Sequence, residues 1–404
     1  MHRYILFLLF SFTISVHAQH VINGIVLSEK NTPLEDATVY LNNTTIGTTT
    51  GQNGKFQLTI PNKNHELIIS FLGYKTAQYK VSELKLTTPL TIRLIPGTNI
   101  LDEVIVQKTK YDDDWYYNLS RFKRAFLGRS KLALTCSILN PKVLHFEYNF
   151  KTKTLIASAR EPLKIKHKGL GYLITYDLVD FSLGNEKMFF SGYAQYKNLK
   201  KPVKKKWAKN RLTAFNGSRM HFLRGLITEN LKKDGFVVNQ FKRVPNPDLP
   251  STKDIKKARE VIKLYKKPIN FNTKFTEPKT ALDSALVILK ESRKPKYRDY
   301  LYKKNVSYKD IITLENGKPI LNFKDHLSII YTKEPEERNY LIGMFGKQKK
   351  ASGVQTSNIV LLIDKVEIGK SGILASPHAI FNEGYWAFES FADMLPLDYQ
   401  PPEE

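Results

Sequence analysis

The chain has 404 residues, of which 63 are lysine or arginine and 38 are aspartate or glutamate, so its formal net charge at pH 7 is +25. Its single cysteine excludes a fold held together by internal disulfides. The length allows two or three domains with real hydrophobic cores, and the charge favours anionic partners.

The first predicted element is a secretory signal peptide at residues 1–18. Met1-His2-Arg3 is a short basic start, and residues 4–16 follow without a charge. This apolar run is too short to span a bilayer, which takes about 20 residues. Ala18 lies two positions after Val16, so cleavage should leave Gln19 at the new N-terminus. We therefore expect an exported protein in the periplasm or at the outer membrane, soluble or peripherally attached.

Residues 20–97 contain short apolar or alternating segments separated by turn residues. Pro33 and the Gly51-Gln52-Asn53-Gly54 stretch are turn signals. Strands are predicted at 21–26, 37–41, 56–60, 67–74 and 90–94, without a helical stretch between them. This spacing predicts an all-β Greek-key sandwich.

The turn and aromatic residues of this segment resemble the carboxypeptidase-regulatory-like domain. The patterns G-x-V, P-L-x-x-A-x-V, G-T-x-T-x-x-x-G-x-F and I-x-F-x-G-Y are carried by Gly24, Pro33, Leu34, Ala37, Gly47, Thr48, Gly54, Phe56, Phe71, Gly73 and Tyr74. Family members use this module as a non-catalytic part of exported Gram-negative proteins. The resemblance therefore implies a transthyretin-like sandwich that contacts other molecules, and it implies no peptidase activity.

The same kind of domain opens the starch-utilisation-type TonB-dependent transporters, where a segment reading L-D-E-V-V-V follows it. Residues 101–106 read L-D-E-V-I-V, close to that segment. The roughly 300 residues that remain are too few for a plug and a barrel of about 22 strands. Residues 98–107 are therefore interpreted as an extended linker, and contact with the TonB system stays an alternative.

The charge changes sharply near residue 108. Residues 20–107 hold seven basic and seven acidic side chains, whereas residues 108–404 hold 55 basic and 31 acidic ones. A second, basic domain is predicted at 108–404. Its helices and strands alternate irregularly, which favours an α+β fold, and the proline-containing segment 243–252 is a candidate hinge.

Several elements of this domain are predicted individually. Residues 112–127 should form a helix that begins at the run of three aspartates. Residues 132–139 alternate like a strand, with Cys136 as a buried packing thiol. Helices are also expected after the Asn216-Gly217-Ser218 cap as far as Gly235, and at 251–267 and 280–290. Strands at 311–314, 327–331 and 359–363 follow, with a hairpin turn at Asn316-Gly317.

The densest basic run surrounds Trp207, and no acidic residue lies between positions 188 and 228. An anion-binding surface is predicted there, on the basic residues, the tryptophan and a nearby histidine. These are Lys200, Lys201, Lys204, Lys205, Lys206, Trp207, Lys209, Arg211, His221 and Arg224. A lysine run can also serve only to keep the surface soluble, and that reading stays open.

No pattern in the chain predicts a catalytic or metal site, and no cofactor is expected. The histidines lack zinc-ligand spacing, and there is no P-loop, G-x-G-x-x-G or G-x-S-x-G motif. The best enzyme candidate is His221 with Arg224, one helical turn apart, which suggests phosphate or carboxylate handling.

Three functions fit these observations. The favoured one is a non-enzymatic exported envelope protein, whose sandwich is an interaction module and whose basic domain binds an anionic envelope lipid or glycan, with no physiological nucleic acid. The second is a hydrolase of cell-wall or host glycans, with Glu161 and Asp177 as carboxylates to neutralise. The third is an accessory protein of the TonB system that contacts an outer-membrane protein.

Overall fold

The computed structural model describes residues 20–97, 110–184, 187–270, 277–342, 348–376 and 378–402. The predicted signal peptide at 1–18 and the predicted linker at 98–107 lie outside these ranges. Three hydrophobic cores organise the described residues, one in the N-terminal sandwich and two in the basic region.

The N-terminal unit is a sandwich of a three-stranded and a four-stranded sheet. The orders are β4-β1-β7 and β3-β2-β5-β6, and every pair is antiparallel except β1 with β7. The strands are β1 (His20–Ser28), β2 (Thr38–Leu41), β3 (Gly47–Thr49), β4 (Lys55–Ile60), β5 (Glu66–Ser70), β6 (Ala77–Lys80) and β7 (Leu90–Leu94).

The burial of these strands follows their sequence patterns. In β4 the apolar residues Phe56, Leu58 and Ile60 are buried and their polar neighbours are exposed. In β5 three consecutive apolar residues are fully buried, as predicted for a continuously apolar strand. The prediction of a small β-sandwich is confirmed.

The second unit packs α1 and the C-terminal segment against a six-stranded sheet. Its order is β8-β11-β12-β10-β9, and β13 pairs along the other side of β12. The elements are α1 (Asp113–Phe126), β8 (Cys136–Ile138), β9 (Leu144–Asn149), β10 (Thr154–Ala159), β11 (Leu163–His167), β12 (Tyr172–Leu183), β13 (Met188–Asn198) and α2 (Lys205–Phe215). The core includes Phe122, Phe126, Tyr176 and, from the C-terminal segment, Phe391.

The third unit has a five-stranded sheet, β15-β14-β18-β19-β22, and a four-stranded one, β16-β17-β20-β21. Its helices are α3 (Arg219–Ile227), α4 (Leu231–Asp234), α5 (Thr252–Leu264), α6 (Ala281–Glu291), α7 (Tyr308–Ile311), α8 (Arg338–Leu341) and α9 (Tyr385–Phe388). Its strands are β14 (Phe236–Pro245), β15 (Tyr297–Lys303), β16 (Ile312–Glu315), β17 (Lys318–Leu321), β18 (His326–Tyr331), β19 (Gln355–Leu361), β20 (Val366–Gly369), β21 (Ile373–Leu374) and β22 (Ile380–Gly384). The predicted α+β character is therefore found.

Local signals placed several elements correctly. Asp112 caps α1 by accepting a hydrogen bond from the Trp115 amide at 3.0 Å. The turn between β16 and β17 has positive φ at both Asn316 and Gly317, as a two-residue hairpin requires.

Two local predictions were wrong. Residues 133–135 form a 3-10 helix that leaves Leu134 78% exposed, so the strand is confined to Cys136–Ile138. The helix expected as far as Gly235 ends at Ile227, and a separate short turn of helix, Leu231–Asp234, ends at Gly235 in the left-handed conformation. In both cases a short segment of different backbone conformation interrupts an apolar pattern that is continuous in the sequence.

The two cores of the basic region divide within α3. Met220 packs on the first core, and Phe222, Leu223 and Leu226 belong to the second. The candidate hinge 243–252 instead covers the end of β14 and the start of α5, both within the third unit.

The sandwich docks on the free edge of β13 through the loop between β2 and β3. The Asn43 amide donates to the Ala194 carbonyl at 2.8 Å, and the Tyr196 amide donates to the Thr44 carbonyl at 2.9 Å. Thr44 is fully buried. The loop thus satisfies the main-chain groups of an edge strand, which would otherwise be open to other chains.

Candidate anion-binding cleft

The predicted lysine run lies at the mouth of an open cleft of about 460 Å³ between α2 and the turn that joins β11 to β12. Lys204 and Lys206 line it from the run, and Lys166 and Lys168 line it from the opposite side. Lys200, Lys201, Lys205 and Lys209 are exposed but do not line the cleft. The structure therefore brings two lysines of the prediction together with two that the prediction missed.

The position of α2 is fixed by three side chains on one of its faces. The Trp207 indole donates to the Lys168 carbonyl at 2.9 Å, and the Asn210 amide donates to the Gly169 carbonyl at 2.8 Å. The Arg211 guanidinium donates to the Leu170 carbonyl at 2.9 Å. Residues three and four apart share a helix face, so α2 takes three successive carbonyls of the turn as acceptors.

The closeness of α2 to this turn depends on Gly171. Its φ is +74°, and a Cβ there would lie 2.1 Å from the Trp207 ring. A glycine is required both by this conformation and by the lack of space. The turn and the tryptophan thus form one rigid wall of the cleft.

The cleft has a positive lining and an aromatic wall. Thr135, Gly169, Leu199 and Asn210 complete the lining, which contains no carboxylate. The Lys204 ammonium lies 5.1 Å from the centroid of the Trp207 ring. Lysine side chains from two parts of the chain thus line one opening, and like charges that share an opening favour an anion as partner.

Trp207 and Arg211 were predicted to bind an anion, and the structure uses both for packing. Trp207 is 9% exposed, with its indole N–H committed to Lys168. Arg211 is 7% exposed and stacks 3.8 Å from the centroid of the Tyr172 ring. Burial lowers the pKa of Arg211. The donors of this guanidinium are directed at carbonyl groups of the fold, so the structure gives Arg211 a packing role.

Arg224 is likewise occupied by the fold. It donates to the carbonyls of Ser371, Leu397 and Tyr399, each at 2.9 Å. These bonds hold the C-terminal segment against α3, so this residue has no donor directed at the lysine cleft.

His221 is built into aromatic packing. Its ring stacks on Phe215 with centroids 4.6 Å apart, and its Nδ1 accepts the Gly217 amide at 3.2 Å. Nε2 lies 3.8 Å from the nearer carboxylate oxygen of Asp234. The predicted pairing of His221 with Arg224 as a catalytic couple is not seen, because each side chain has its own structural partners.

Residues 216–224 and residues 384–387 meet in the third unit. The Trp386 indole donates to the Gly217 carbonyl at 2.8 Å, and the Trp386 amide donates to the Ser357 hydroxyl at 3.0 Å. Both segments thus support the fold next to the histidine.

The carboxylates suggested for hydrolysis are not paired. Asp177 accepts a hydrogen bond from Thr76 of the sandwich, which makes it part of the interface between units. Glu161 lies exposed in the turn between β10 and β11. No group of three metal-ligating side chains comes together among the residues that the structure describes.

Two other acidic groups lie near the C-terminus, the buried Asp393 and the half-buried Glu389. Asp393 accepts a hydrogen bond from the Ser130 hydroxyl at 2.8 Å, and burial raises the pKa of its carboxyl to about 7. Burial and the charge of Asp393 raise the pKa of Glu389 as well. They lie near the end of α1 and the segment after it, and no local pattern in the sequence predicted this placement.

Cys136 has the environment of a packing thiol. It is half-buried against the first core, and burial raises its pKa to about 12. A thiol with so high a pKa is almost wholly protonated at neutral pH and is therefore a poor nucleophile.

Comparison with known proteins identifies the first unit. Residues 22–106 match the family model of the CarboxypepD_reg-like domain, which confirms the predicted resemblance over this part of the chain. The match also covers residues 101–106, which lie outside the described ranges.

A curated relative shares part of the chain. It is the TonB-dependent receptor SusC of Bacteroides thetaiotaomicron, 32% identical over 109 residues, which is 26% of this chain and 10% of the receptor. The chain thus spans about a tenth of the length of the curated relative that it matches. Among solved structures, a putative membrane-associated protein of unknown function from Bacteroides fragilis aligns over 90% of this chain and 93% of its own, with 7% identity and a TM-score of 0.16.

Proposed function

We propose that this protein is a non-enzymatic component of the cell envelope that binds a phosphate- or carboxylate-bearing envelope molecule in the lysine cleft. The observation that carries the proposal is the convergence of Lys166, Lys168, Lys204 and Lys206 on one opening beside an aromatic wall. Two separate stretches of chain supply these lysines, so their meeting is a property of the fold.

The chemistry of the cleft favours an anion with an apolar face. Ammonium groups recognise phosphate or carboxylate as point charges, and Leu199 and the aliphatic stems of the lysines offer apolar contact to a sugar or lipid headgroup. An open cleft of this size accommodates the end of a chain or one or two sugar rings.

The envelope context is supported by the relationship of the first unit. Its similarity to part of a TonB-dependent receptor favours an exported protein at the outer membrane. Among the helices of the described residues, none is both long enough and apolar enough to cross a membrane. The signal peptide prediction fits this context and can be checked by sequencing the N-terminus of the mature protein.

Binding of two defined probes tests the cleft. Calorimetry at low and high salt would use a bis-phosphorylated glucosamine disaccharide and, separately, an oligogalacturonate. We expect binding of at least one probe that weakens with salt. Replacing the four cleft lysines by glutamine should weaken that binding at least about tenfold, since contacts of an ion with a charged donor contribute about 1 kcal/mol or more each.

The chain offers a matched control for net charge. A variant with Lys200, Lys201, Lys205 and Lys209 changed to glutamine loses the same charge from the same run outside the cleft. It should retain most of the affinity. Equal losses in both variants would show a diffuse charge effect, and absence of binding by the wild type would refute the cleft.

Association with the TonB system is a second candidate, favoured by the similarity to the receptor. On this proposal, residues 101–106 contact an outer-membrane or TonB-system protein. Deleting those six residues should then abolish co-purification of that protein from envelope extracts. Co-purification that survives the deletion would remove this candidate.

A further inference from the structure

The third unit carries an arm that extends away from its sheets. It begins after β14, runs through α5 and α6, and returns as β15. At its base, the Asn246 amide donates to the Lys296 carbonyl and the Asn246 side chain donates to the Pro295 carbonyl, both at 2.9 Å. α5 has 13 residues, so at a rise of about 1.5 Å per residue it is about 20 Å long.

The two helices of the arm have almost no core of their own. They pack against each other, and each buries only one residue, Ala258 in α5 and Ala285 in α6. The larger apolar residues of α6 are half-buried: Leu282, Leu286, Val287, Ile288 and Leu289. Helices of this length gain most of their stability from packing, so this hairpin leaves apolar surface available to something else.

The far end of α5 exposes apolar side chains among basic ones. Leu264 is 79% exposed and Tyr265 is 40% exposed. The basic side chains of α5 and the turn after it are all exposed: Lys253, Lys256, Lys257, Arg259, Lys263, Lys266 and Lys267. The same segment, residues 252–267, contains only two acidic residues, Asp254 and Glu260.

The basic residues at the far end differ from those at the base. Arg298 and Lys294 at the base are paired with carboxylates, as is Lys303 at the end of β15. None of the seven on α5 and its turn forms an ion pair with a described residue. Some basic side chains at the base of the arm are thus neutralised by carboxylates, whereas those of α5 and the turn after it are not.

We propose that the far end of this arm, residues 263–267, docks on an anionic lipid surface, with Leu264 and Tyr265 entering the interface and the lysines contacting lipid phosphates. Exposed apolar residues flanked by lysine are the combination that binds a charged bilayer surface. A lysine also suits this boundary because its aliphatic stem can lie in the apolar layer while its ammonium group reaches the headgroups. An acidic protein would use the charge but would not explain an isolated leucine at the very end of the helix.

This docking surface is distinct from the lysine cleft, which lies on the second unit. The arm would hold the protein at the membrane surface, and the cleft would bind its ligand as a second, separate contact with the envelope. The proposal does not depend on what the cleft binds, and the two can fail independently.

Flotation of the full-length protein with vesicles tests the docking surface. We expect binding to phosphatidylcholine vesicles that contain phosphatidylglycerol and little binding to phosphatidylcholine alone. Changing Lys263, Lys266 and Lys267 to glutamine should lower the partition constant about fivefold for each lysine, since a basic residue near an anionic surface contributes about 1 kcal/mol.

Leu264→Ser tests the apolar part of the contact and has a matched control. Leu134 is equally exposed, at 78%, and lies on the second unit, so Leu134→Ser should leave vesicle binding unchanged while Leu264→Ser lowers it several-fold. Neither change removes a buried group, so both variants should fold. Equal effects of the two substitutions, or binding that ignores the arm variants, would overturn the proposal.

The cleft variant separates the two proposals. The protein with Lys166, Lys168, Lys204 and Lys206 changed to glutamine should still float with anionic vesicles as the wild type does. Loss of flotation in that variant with retention in the arm variants would assign membrane contact to the cleft and refute docking by the arm.

Discussion

Single residues in the wall of the cleft can be tested by their effect on folding. Gly171→Ala should destabilise the protein by about 2–4 kcal/mol, about 1–2 kcal/mol from the left-handed conformation and the rest from the clash with Trp207. Gly317→Ala is the control, because its φ is also +74° and no atom lies within 4 Å of its Cβ position. Urea unfolding should show the smaller cost, about 1–2 kcal/mol, for the control. Equal costs would mean that Trp207 moves aside easily and that the wall is not rigid.

The buried carboxyl of Asp393 should make stability depend on pH. Its pKa of about 7 in the folded protein lies above the ordinary value of 3.8, so between these values the folded state holds a proton that the unfolded state releases. This contribution is fully present below about pH 4 and is lost as the pH rises to about 7, by an amount on the order of 4 kcal/mol.

Asp393→Asn tests this effect, because an amide can still accept the hydrogen bond from Ser130 and does not ionise. It also removes the charge of Asp393 that raises the pKa of Glu389, so both carboxyls contribute to the measured difference. The difference in unfolding free energy between the variant and the wild type should grow in favour of the variant as the pH rises from about 5 to about 8. Burial lowers the pKa of His167 and produces an opposite trend in both proteins, which the difference cancels. A difference that stays constant with pH would show that Asp393 is ionised throughout.

At the scale of elements, local sequence signals predicted the helices and strands whose ends and apolar faces they determine. The aspartate cap and apolar face gave α1, and alternation gave the strands of the sandwich. The cleft could be predicted only in part, because Lys166 and Lys168 are separated from Lys204 and Lys206 by more than 30 residues. The alternate spacing of Lys166 and Lys168 at the end of a strand is visible in the sequence. No local pattern, however, showed which strand would lie beside α2.

The charged side chains were misassigned for the same reason. In the sequence Arg211 and Arg224 look like members of a basic surface, and only the tertiary structure shows the carbonyls that they bind. A guanidinium has five donors in a fixed plane, so it can hold several backbone carbonyls at once. A lysine with a single ammonium group is less often used in this way, and the lysines of the run did stay exposed.

The contact between the sandwich loop and the C-terminal segment is an element-scale feature that a double-mutant cycle can measure. Asp398 accepts hydrogen bonds from the amide of Thr45, at 2.9 Å, and from its hydroxyl. Thr45→Val and Asp398→Ala should be coupled by about 1 kcal/mol in unfolding free energy, because the side-chain bond needs both partners. Thr45→Val with Asp177→Ala should show no coupling, since Asp177 bonds to Thr76. Similar coupling in both pairs would indicate a general effect on docking of the sandwich.

At the scale of the whole molecule, the C-terminal segment joins all three units. Phe391 and Leu395 fill the core of the second unit, and Arg224 from the third unit holds the carbonyls of Leu397 and Tyr399. The Leu397 amide also donates to the Asn43 carbonyl of the sandwich at 2.7 Å. One attachment of the sandwich to the basic region, through Leu397, therefore depends on Arg224, which lies in neither the sandwich nor β13.

This dependence leads to a prediction about exchange at a distance. Arg224→Met removes the donors to three carbonyls but keeps most of the side-chain volume, so the C-terminal segment should loosen. Its hold on the sandwich loop should weaken with it, and amide hydrogen exchange should accelerate at Asn43, Tyr196 and Leu397 by roughly tenfold, which corresponds to about 1.4 kcal/mol of lost protection.

Arg243→Met is the matched control for that experiment. Arg243 is an equally engaged arginine of the third unit, bonded to Asp299 and Glu383 within one sheet and not to the C-terminal segment. Its replacement should accelerate exchange in β14 and β15 and leave Asn43 and Tyr196 unchanged. If exchange at these two amides rises equally in both variants, the sandwich responds to general loss of stability. If it rises in neither, the sandwich is held by β13 alone, and the C-terminal segment does not transmit the effect of α3.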